Sequence, residues 1–334
     1  MHGRRCCIRP TVNRLAILCS GQAGQQPGML DALMTAADLA ELRRVASAVL
    51  DEDIARWWSA LDADAIYRNG PAQFAIALHQ LAVWQRLGPT LPSPALVAGY
   101  SLGELIAYHV AGALDAAETL RLVRRRAQLM DEAAATLADA DADADADAPA
   151  PPCMLLWRGP QARRHERRLL DAITRVGAAV AIHRPGGDLV IGGPPAALAA
   201  LRAEPWLPGG HLAPLRVGVP AHTRWLASAA TAFAAELAAS AIDAPRCPVL
   251  AGIDGRTVRS RVAAIETLAA QIAAPLRWDR CNDALAEAGI TRALELGPGN
   301  DLARLAGSVL APDAARAVGE FQAPGAAARW AVAD

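Results

Sequence analysis

The chain has 334 residues, a hydrophobic fraction of 53% and a net charge of −1 at pH 7. That length and apolar content suffice for a buried core in one elaborated domain or in two modest ones. The 34 acidic residues balance 33 basic residues, all of them Arg, which excludes the basic surface typical of nucleic-acid-binding proteins. We therefore expect neither a nucleic-acid partner nor, since no apolar stretch is long enough, a membrane span.

The cysteines, at positions 6, 7, 19, 153, 247 and 281, form no CxxC pair and no metal-ligand spacing. Free thiols are typical of a reducing compartment, so we expect a cytoplasmic protein without a metal site. The basic N-terminus superficially resembles a leader, but the apolar run behind it is too short for a signal peptide. We interpret residues 1–13 as a tail and Leu15–Cys19 as the first buried strand.

Strand-like runs alternate with longer helical patterns along the chain. The runs are Leu15–Cys19, Ala95–Ala98, Pro248–Ala251 and Arg292–Leu296, and the helical patterns include Pro71–Leu87, Thr223–Ala239 and Thr267–Ala274. This alternation is typical of a mainly parallel sheet with helices on both faces. It predicts a large α/β subdomain made of two segments, 14–136 and 219–310, followed by a second tail over 311–334.

The most informative stretch is the pentapeptide Gly99-Tyr100-Ser101-Leu102-Gly103, which follows one predicted strand and opens directly into a helical segment. This is the GxSxG pattern of a nucleophile elbow. Its glycines permit a sharp strand-to-helix turn that projects the serine hydroxyl above the sheet edge, beside the helix N-terminus. A serine in that position is placed to attack an acyl group, whereas an isolated GxSxG match also occurs in ordinary turns.

A charged residue lies on the apolar side of the next predicted helix. Arg126 stands three or four positions from four apolar residues: Leu122, Val123, Leu129 and Met130. A guanidinium in an apolar stripe needs an anion. Two interpretations stay open, an internal salt bridge or snorkelling side chain on the one hand, and a two-pronged hydrogen bond to a substrate carboxylate on the other.

Residues 137–152 interrupt the pattern with an alternating Asp-Ala repeat that runs into Ala and Pro. Such a repeat has little to bury and repels itself, so we interpret it as a solvated linker. The segment that follows, 153–218, has the order strand, helix, strand, strand, helix, strand, which fits an inserted ferredoxin-like subdomain. A cleft between the two subdomains would be the natural place for a ligand.

The serine needs a base, and among the seven histidines His222 fits best. The segment 215–219 alternates as a strand that Pro220 ends, so His222 follows at a strand terminus, where catalytic loops of open α/β sheets lie. Its imidazole is placed to remove the serine proton and later to protonate a leaving thiol. His79, His109 and His165 lie in predicted helices, where a structural or solvated role is commoner.

Six short motifs follow one another along the chain, and their order and spacing are informative together. They are Ser20 to Gln25, the elbow Gly99 to Glu104, Arg126, Val219 to His222, Gln271 with Ala274 to Trp278, and Leu294 to Asn300. Over residues 14–308 they make the chain resemble the malonyl-CoA:acyl carrier protein transacylases and related acyltransferase domains. The resemblance implies a hydrolase-like α/β fold with a ferredoxin-like insertion, and it implies malonyl-CoA and an acyl carrier protein as substrates.

The same resemblance implies the catalytic residues. Ser101 would be the nucleophile and His222 the base; backbone N–H groups of Gln22 and Leu102 would form the oxyanion hole. The main-chain carbonyl of Gln271 would orient the imidazole, which stabilises imidazolium less than a carboxylate does and suits an activated thioester. The acyl group would pass through an ester on the serine, with no cofactor on the enzyme and a phosphopantetheine-type thiol on the acceptor.

The resemblance further implies that Arg126 binds the malonyl carboxylate, and departures from the family pattern mark two more substrate-binding positions. Tyr100 stands where the elbow usually has His, and His183 stands where the small subdomain usually has Asn. The Tyr-Ser elbow, with residues 250–255 and 186–188, most resembles the epsilon subunit of biotin-independent malonate decarboxylase. That branch implies malonyl transfer to the decarboxylase's own carrier protein, whose prosthetic group is a phosphoribosyl-dephospho-CoA thiol.

Three alternatives stay open. A general fatty-acid or polyketide malonyl transferase would differ only in its acceptor protein. A serine thioesterase or carboxylesterase would share Ser101 but should have an acidic triad member, and it would turn over with water alone. A non-catalytic docking subunit would have no need of Ser101, His222 and Arg126 together.

Overall fold

The computed structural model describes residues 13–138, 153–158, 162–207, 212–323 and 325–333. Its strands are β1 Leu15–Cys19, β2 Leu96–Gly99, β3 Met154–Trp157, β4 Ala179–His183, β5 Leu189–Gly192, β6 Leu212–Pro214, β7 Val249–Leu250, β8 Thr257–Val258, β9 Leu276–Arg277, β10 Arg292–Glu295 and β11 Ala315–Ala317. Its α-helices are α1 Asp31–Thr35, α2 Ala40–Leu50, α3 Ile54–Ala60, α4 Asn69–Leu87, α5 Gly103–Val110, α6 Ala116–Ala138, α7 Ala162–Arg175, α8 Pro195–Arg202, α9 Ala227–Ala239, α10 Arg261–Ala270, α11 Trp278–Glu287, α12 Asp301–Ala306 and α13 Ala326–Val332. Over these ranges, no helix is long and apolar enough to cross a membrane.

The larger sheet has the order β11-β10-β1-β2-β7-β8, and every pair in it except β7–β8 is parallel. Its central strand, β1, is buried along its whole length, as expected for a strand covered on both faces by helices. The register sets Cys19 opposite Gly99 and Leu18 opposite Glu295. The segments that follow β1, β2 and β10 therefore leave the sheet side by side at its carboxyl edge, where open α/β sheets bind ligands. The predicted α/β class is confirmed.

The C-terminal segment corrects the predicted tail over 311–334. Strand β11 extends the large sheet by pairing in parallel with β10, and helix α13 buries Ala327 and Ala331 against the main core. Alanines pack closely but carry little hydrophobic pattern, so this part of the sequence gives a weak signal of order.

The smaller sheet has the order β6-β3-β5-β4-β9. Its first four strands, β6, β3, β5 and β4, pair in antiparallel fashion. They are the four strands of the predicted strand-helix-strand-strand-helix-strand unit, and numbered along the chain they stand in the order 4-1-3-2. Alternate side chains of β3 divide between two cores: Leu155 and Trp157 pack with α7 and α8, whereas Met154 and Leu156 join the core of the large subdomain. The small subdomain therefore rests on the large one through its inner face.

The predicted boundaries of the subdomains need two corrections. Strand β9 belongs to the later large segment by sequence, yet it pairs in parallel with β4 and completes the small sheet. Helix α6 continues to Ala138, two residues into the predicted linker 137–152. The rest of that linker, and residues 1–12 of the predicted N-terminal tail, lie outside the described residues.

Candidate active site

The turn between β2 and α5 has the geometry of a nucleophile elbow. Ser101 adopts a φ of 57°, in the left-handed region that non-glycine residues rarely occupy. A Cβ added at Gly99 would lie 2.2 Å from the Gly103 carbonyl, and one added at Gly103 would lie 2.0 Å from the carbonyl oxygen of Cys19. Both glycines of the GxSxG pattern are therefore required by close backbone packing, and the serine between them is held in a strained conformation.

The structure brings the predicted serine, histidine and glutamine together. Ser101 Oγ lies 2.7 Å from His222 Nε2, and His222 Nδ1 lies 2.5 Å from the main-chain carbonyl oxygen of Gln271. Because a carbonyl oxygen only accepts, Nδ1 carries the proton and Nε2 is free to accept the serine hydroxyl. The histidine backbone is fixed as well, since its N–H donates to the carbonyl of Ile272 at 2.9 Å.

Arg126 lies beside the nucleophile. Its side chain is 1% exposed; Nη1 donates to Gln73 Oε1 at 2.6 Å and Nη2 donates to Ser101 Oγ at 3.2 Å. Burial lowers its pKa to about 10, against the attraction of Glu104, so the guanidinium stays charged at neutral pH. No carboxylate in the described parts of the chain forms a salt bridge with it, and snorkelling does not fit its burial. An unpaired buried cation is costly, so this geometry favours an anionic ligand.

The candidate oxyanion donors belong to two segments, the elbow at Leu102 and the loop after β1 at Gln22. Leu102 follows the serine directly at the N-terminus of α5, and Gln22 lines the same cavity as the serine. The loop that carries Gln22 is anchored at Ser20, whose N–H donates to Gln80 at 3.0 Å and whose hydroxyl donates to Glu295 at 2.6 Å. These contacts fix the loop before a substrate arrives.

Glu295 was not among the residues predicted from the sequence. It is buried at the end of β10, where it accepts the Ser20 hydroxyl and the N–H of Ala303 in α12 at 2.7 Å. Burial raises its pKa to about 7, against these hydrogen bonds. The carboxyl group therefore ties the Ser20 loop to α12 on the other side of the cavity.

Glu104 is a second buried carboxyl group that sequence reasoning missed as a site residue. Its side chain is fully buried, and Oε2 accepts the Gly252 N–H at 3.0 Å and Gln271 Nε2 at 3.2 Å. The same Gln271 nitrogen lies 3.3 Å from the carbonyl oxygen of Ser101. Glu104 thus holds the residue whose carbonyl orients His222, and its place at the end of the elbow motif was the available signal.

Replacing Glu104 by Gln should change how stability depends on pH. Burial raises the pKa of Glu104 from 4.5 to about 8, so the folded protein favours the neutral carboxyl group. This contribution is complete at acid pH and is lost as the pH rises from about 4.5 towards 8. Gln resembles the neutral acid and does not titrate.

The free energy of unfolding, measured with urea at acid and at slightly alkaline pH, tests this expectation. The wild-type protein should lose roughly 2–4 kcal/mol relative to Glu104→Gln between about pH 5 and about pH 8. A difference between the two proteins that stays constant with pH would show that Glu104 is charged in the folded state.

A cavity of about 310 Å³ lies between the two subdomains in front of the serine. Tyr100, predicted to bind substrate, lines this cavity and packs edge-on against Trp278 with ring centroids 5.1 Å apart. Burial raises the pKa of Tyr100 to about 12, so the phenol is neutral at physiological pH. The phenol is therefore a neutral group that can both donate and accept hydrogen bonds.

The structure corrects the prediction for His183. Side chains alternate along an extended chain, so it is Ile182 of β4 and Arg184, directly after β4, that line the cavity. His183 is paired with Arg277 of β9, outside the cavity lining. Burial lowers its pKa and Arg277 lowers it further. A shift of one position along the strand therefore exchanges the predicted histidine for an arginine.

The acylation rate should stay constant well into the acid range, because His222 keeps its unprotonated, basic form there. Burial and the nearby charge of Arg126 lower the pKa of His222 to about 3, against its hydrogen bond to Gln271. A base acts while it is unprotonated, so His222 protonation should remove no activity between about pH 8 and about pH 5. Single-turnover acylation rates, measured from about pH 5 to about pH 8, test this expectation.

The variant Glu295→Gln is the matched control for this pH profile, because the Glu295 carboxyl group has a pKa of about 7 and the residue lines the same cavity. A loss of rate caused by Glu295 should disappear in Glu295→Gln. An acid limb with a midpoint near the ordinary value of 6.5 that persists in Glu295→Gln would contradict the low pKa of His222.

The family model described as acyl transferase domain matches residues 17–298. The malonyl CoA-acyl carrier protein transacylase of Mycobacterium tuberculosis is 29% identical over 307 residues, which cover 91% of this chain and 96% of that protein. The crystal structure of MCAT from Mycobacterium tuberculosis superposes with a TM-score of 0.80 at 29% identity, covering 92% of this chain and 96% of its own.

A second structure with a high TM-score holds a type II PKS acyl-carrier protein in complex with its malonyl-transacylase. The match has a TM-score of 0.78 at 25% identity and covers 91% of this chain and 95% of the other. The family match spans both segments of the large subdomain and the small subdomain between them, and it includes the elbow and His222. The chain belongs to the acyl transferase domain family and is an acyltransferase.

Proposed function

We propose that this chain transfers the malonyl group of malonyl-CoA to the thiol of an acyl carrier protein through an ester on Ser101. The observation that carries the proposal is the position of Arg126, which is buried, has no carboxylate partner among the described residues and lies 3.2 Å from the Ser101 hydroxyl. Malonyl has a free carboxylate at the end of its acyl chain, which a guanidinium binds with two hydrogen bonds. The complex of a related transacylase with its carrier protein supports this class of acceptor.

In the first half-reaction, His222 Nε2 takes the Ser101 proton while Oγ attacks the thioester carbonyl. The N–H groups of Gln22 and Leu102 stabilise the oxyanion. As the intermediate collapses, the carbon–sulfur bond breaks and the imidazolium protonates the CoA thiolate, which leaves malonyl on the serine. The second half-reaction runs the same steps in reverse with the carrier-protein thiol.

The same residues favour transfer over hydrolysis. The partner of His222 is the neutral carbonyl of Gln271, not a carboxylate, which suits a thioester more than an unactivated ester. A carboxylesterase or thioesterase has no use for Arg126 beside the nucleophile. A docking subunit without activity has no use for a strained serine in hydrogen-bond contact with a neutral histidine.

We further propose that the physiological acceptor is the carrier protein of a biotin-independent malonate decarboxylase, and that the enzyme works in the cytoplasm. The support is the resemblance of Tyr100 with Ser101, of residues 250–255 and of the turn at 186–188 to the epsilon subunit of that system. Cys19, Cys247 and Cys281 are free thiols, which supports a reducing compartment.

Parallel transfer assays with two acceptors test this proposal. One is the decarboxylase carrier protein with its phosphoribosyl-dephospho-CoA group, and the other is a fatty-acid carrier protein with phosphopantetheine. We expect kcat/KM to favour the decarboxylase carrier by at least about tenfold. Equal rates, or a preference for the fatty-acid carrier, would assign the chain to general fatty-acid or polyketide malonyl transfer.

A further inference from the structure

Among the described residues, Arg184 is one of two arginines, with Arg158, that line the cavity in front of Ser101. It follows β4 in the small subdomain and lines the same cavity as Ser101 and His222. Its side chain is only 6% exposed. Its side chain must therefore be satisfied within the cleft, because little of it can be solvated.

The guanidinium of Arg184 is only partly satisfied. Its Nη2 donates to Asp301 Oδ2 at 2.7 Å, whereas its Nε is buried and has no hydrogen-bond partner in the portion of the chain that the structure describes. Asp301 also accepts from Arg304 Nη2 at 2.5 Å. The carboxylate thus offsets the charge and fixes one edge of the Arg184 guanidinium, while Nε stays unsatisfied among the described residues. A buried donor in this state costs free energy unless a ligand supplies an acceptor.

Arg126 and Arg184 come from different subdomains, and of the two only Arg184 is among the residues that line the cavity. Arg126 belongs to α6 in the core of the large subdomain and contacts the serine hydroxyl itself. Arg184 belongs to the opposite, small subdomain, and its partner Asp301 is 47% exposed, which places that pair towards solvent. A thioester on Ser101 has its acyl group on one side of the reacting carbon and its thiol arm on the other. With the acyl carboxylate at Arg126, the arm would occupy the cavity in front of Ser101, which Arg184 lines.

We infer that Arg184 binds the pantetheine arm of the acyl donor and of the carrier protein by donating to an amide carbonyl oxygen. This inference rests on the proposed malonyl transfer. A neutral carbonyl suits a guanidinium whose charge is already opposed by Asp301. The phosphate lies at the end of the arm remote from the thiol, whereas Arg184 shares its cavity with the serine that receives the acyl group. Because both substrates carry the same arm, Arg184 acts in both half-reactions, unlike Arg126, which acts on the acyl group.

Two variants and a control test the inference. Arg184→Met removes every donor at similar length, and Arg184→Lys keeps a cation for Asp301 but loses the planar set of donors. Arg304→Gln is the matched control, because Arg304 binds the same carboxylate but does not line the cavity. Thermal unfolding of each variant reports whether it is folded, and Arg184→Lys serves if Arg184→Met is not.

Each protein is assayed with malonyl-CoA and with malonyl-pantetheine, which lacks all phosphates. We expect both Arg184 variants to raise KM for the two donors by the same factor, about tenfold, with little change in kcat, because they remove binding shared by ground and transition states. Arg304→Gln should keep the wild-type KM for both. A KM increase confined to malonyl-CoA would identify a phosphate as the ligand and overturn the inference, as would wild-type KM values in both variants.

Failure of this inference is distinguishable from failure of the proposed function. Wild-type protein that gains a malonyl group on Ser101, together with Arg184 variants of unchanged KM, would remove only the role of Arg184. Wild-type protein that gains no malonyl group would remove the proposed function, whatever the KM values of the variants.

Discussion

Ser101→Ala is expected to abolish malonyl transfer, with a fall in rate of about 10⁴-fold or more. The hydroxyl it removes lies 2.7 Å from His222 Nε2 and is the only atom that can form the acyl ester in the proposed mechanism. The histidine and the oxyanion donors would remain, but without a nucleophile they have nothing to activate. Initial rates of malonyl transfer to a carrier protein measure the effect.

Ser20→Ala is the matched control, because Ser20 lines the same cavity but donates its hydroxyl to Glu295. It should lose far less activity, since it perturbs the loop of Gln22 without removing the nucleophile. The assignment of Ser101 would be wrong if Ser20→Ala were inactive while Ser101→Ala kept its transfer rate.

Arg126→Ala is expected to reverse the preference for malonyl over uncharged acyl groups. The variant leaves the malonyl carboxylate buried without its cation, and losing one partner of a buried charge pair costs about 2–5 kcal/mol, or roughly 30-fold to several thousand-fold in malonyl transfer. Acetyl transfer should be spared or improved, because acetyl has no charge to bury. The measured quantity is the ratio of kcat/KM for malonyl-CoA to that for acetyl-CoA.

Arg125→Ala controls for the loss of an arginine from α6, since Arg125 pairs with Glu236 and not with the serine. We expect it to keep the wild-type ratio. Equal losses of malonyl and acetyl transfer in Arg126→Ala would contradict the carboxylate role and would indicate that Arg126 acts on the serine in general.

The parts of the fold that the sequence predicts well are those with a strong local pattern. Strand β1 is found at the predicted residues, and the elbow has the predicted strand, turn and helix, because close packing at Gly99 and Gly103 leaves few alternatives. Helix α10 shows the opposite case. It begins at Arg261 with a Ser260 cap, whereas the sequence predicts a helix from Thr267 to Ala274. Its alanine-rich stretch has little amphipathic periodicity to mark either end.

The parts of the site that the sequence does not predict depend on contacts between distant segments. Glu104 acquires its role only when folding brings Gln271 and Gly252 next to it. Glu295 acquires its role only when folding brings Ser20 and Ala303 next to it. Strand β9 is two residues long and has no signal of its own. The exchange of His183 for Arg184 follows from one position of strand alternation, which a sequence pattern does not fix.

Intact-protein mass spectrometry after brief incubation with malonyl-CoA tests the central claim most directly, with acetyl-CoA and Ser101→Ala measured alongside. The proposed mechanism predicts that the wild-type chain gains the mass of one malonyl group, that Ser101→Ala gains nothing, and that acetyl-CoA leaves the wild-type chain unmodified. A wild-type chain that gains no mass, or one that gains equal amounts of malonyl and acetyl, would contradict a malonyl-selective acyl-serine enzyme.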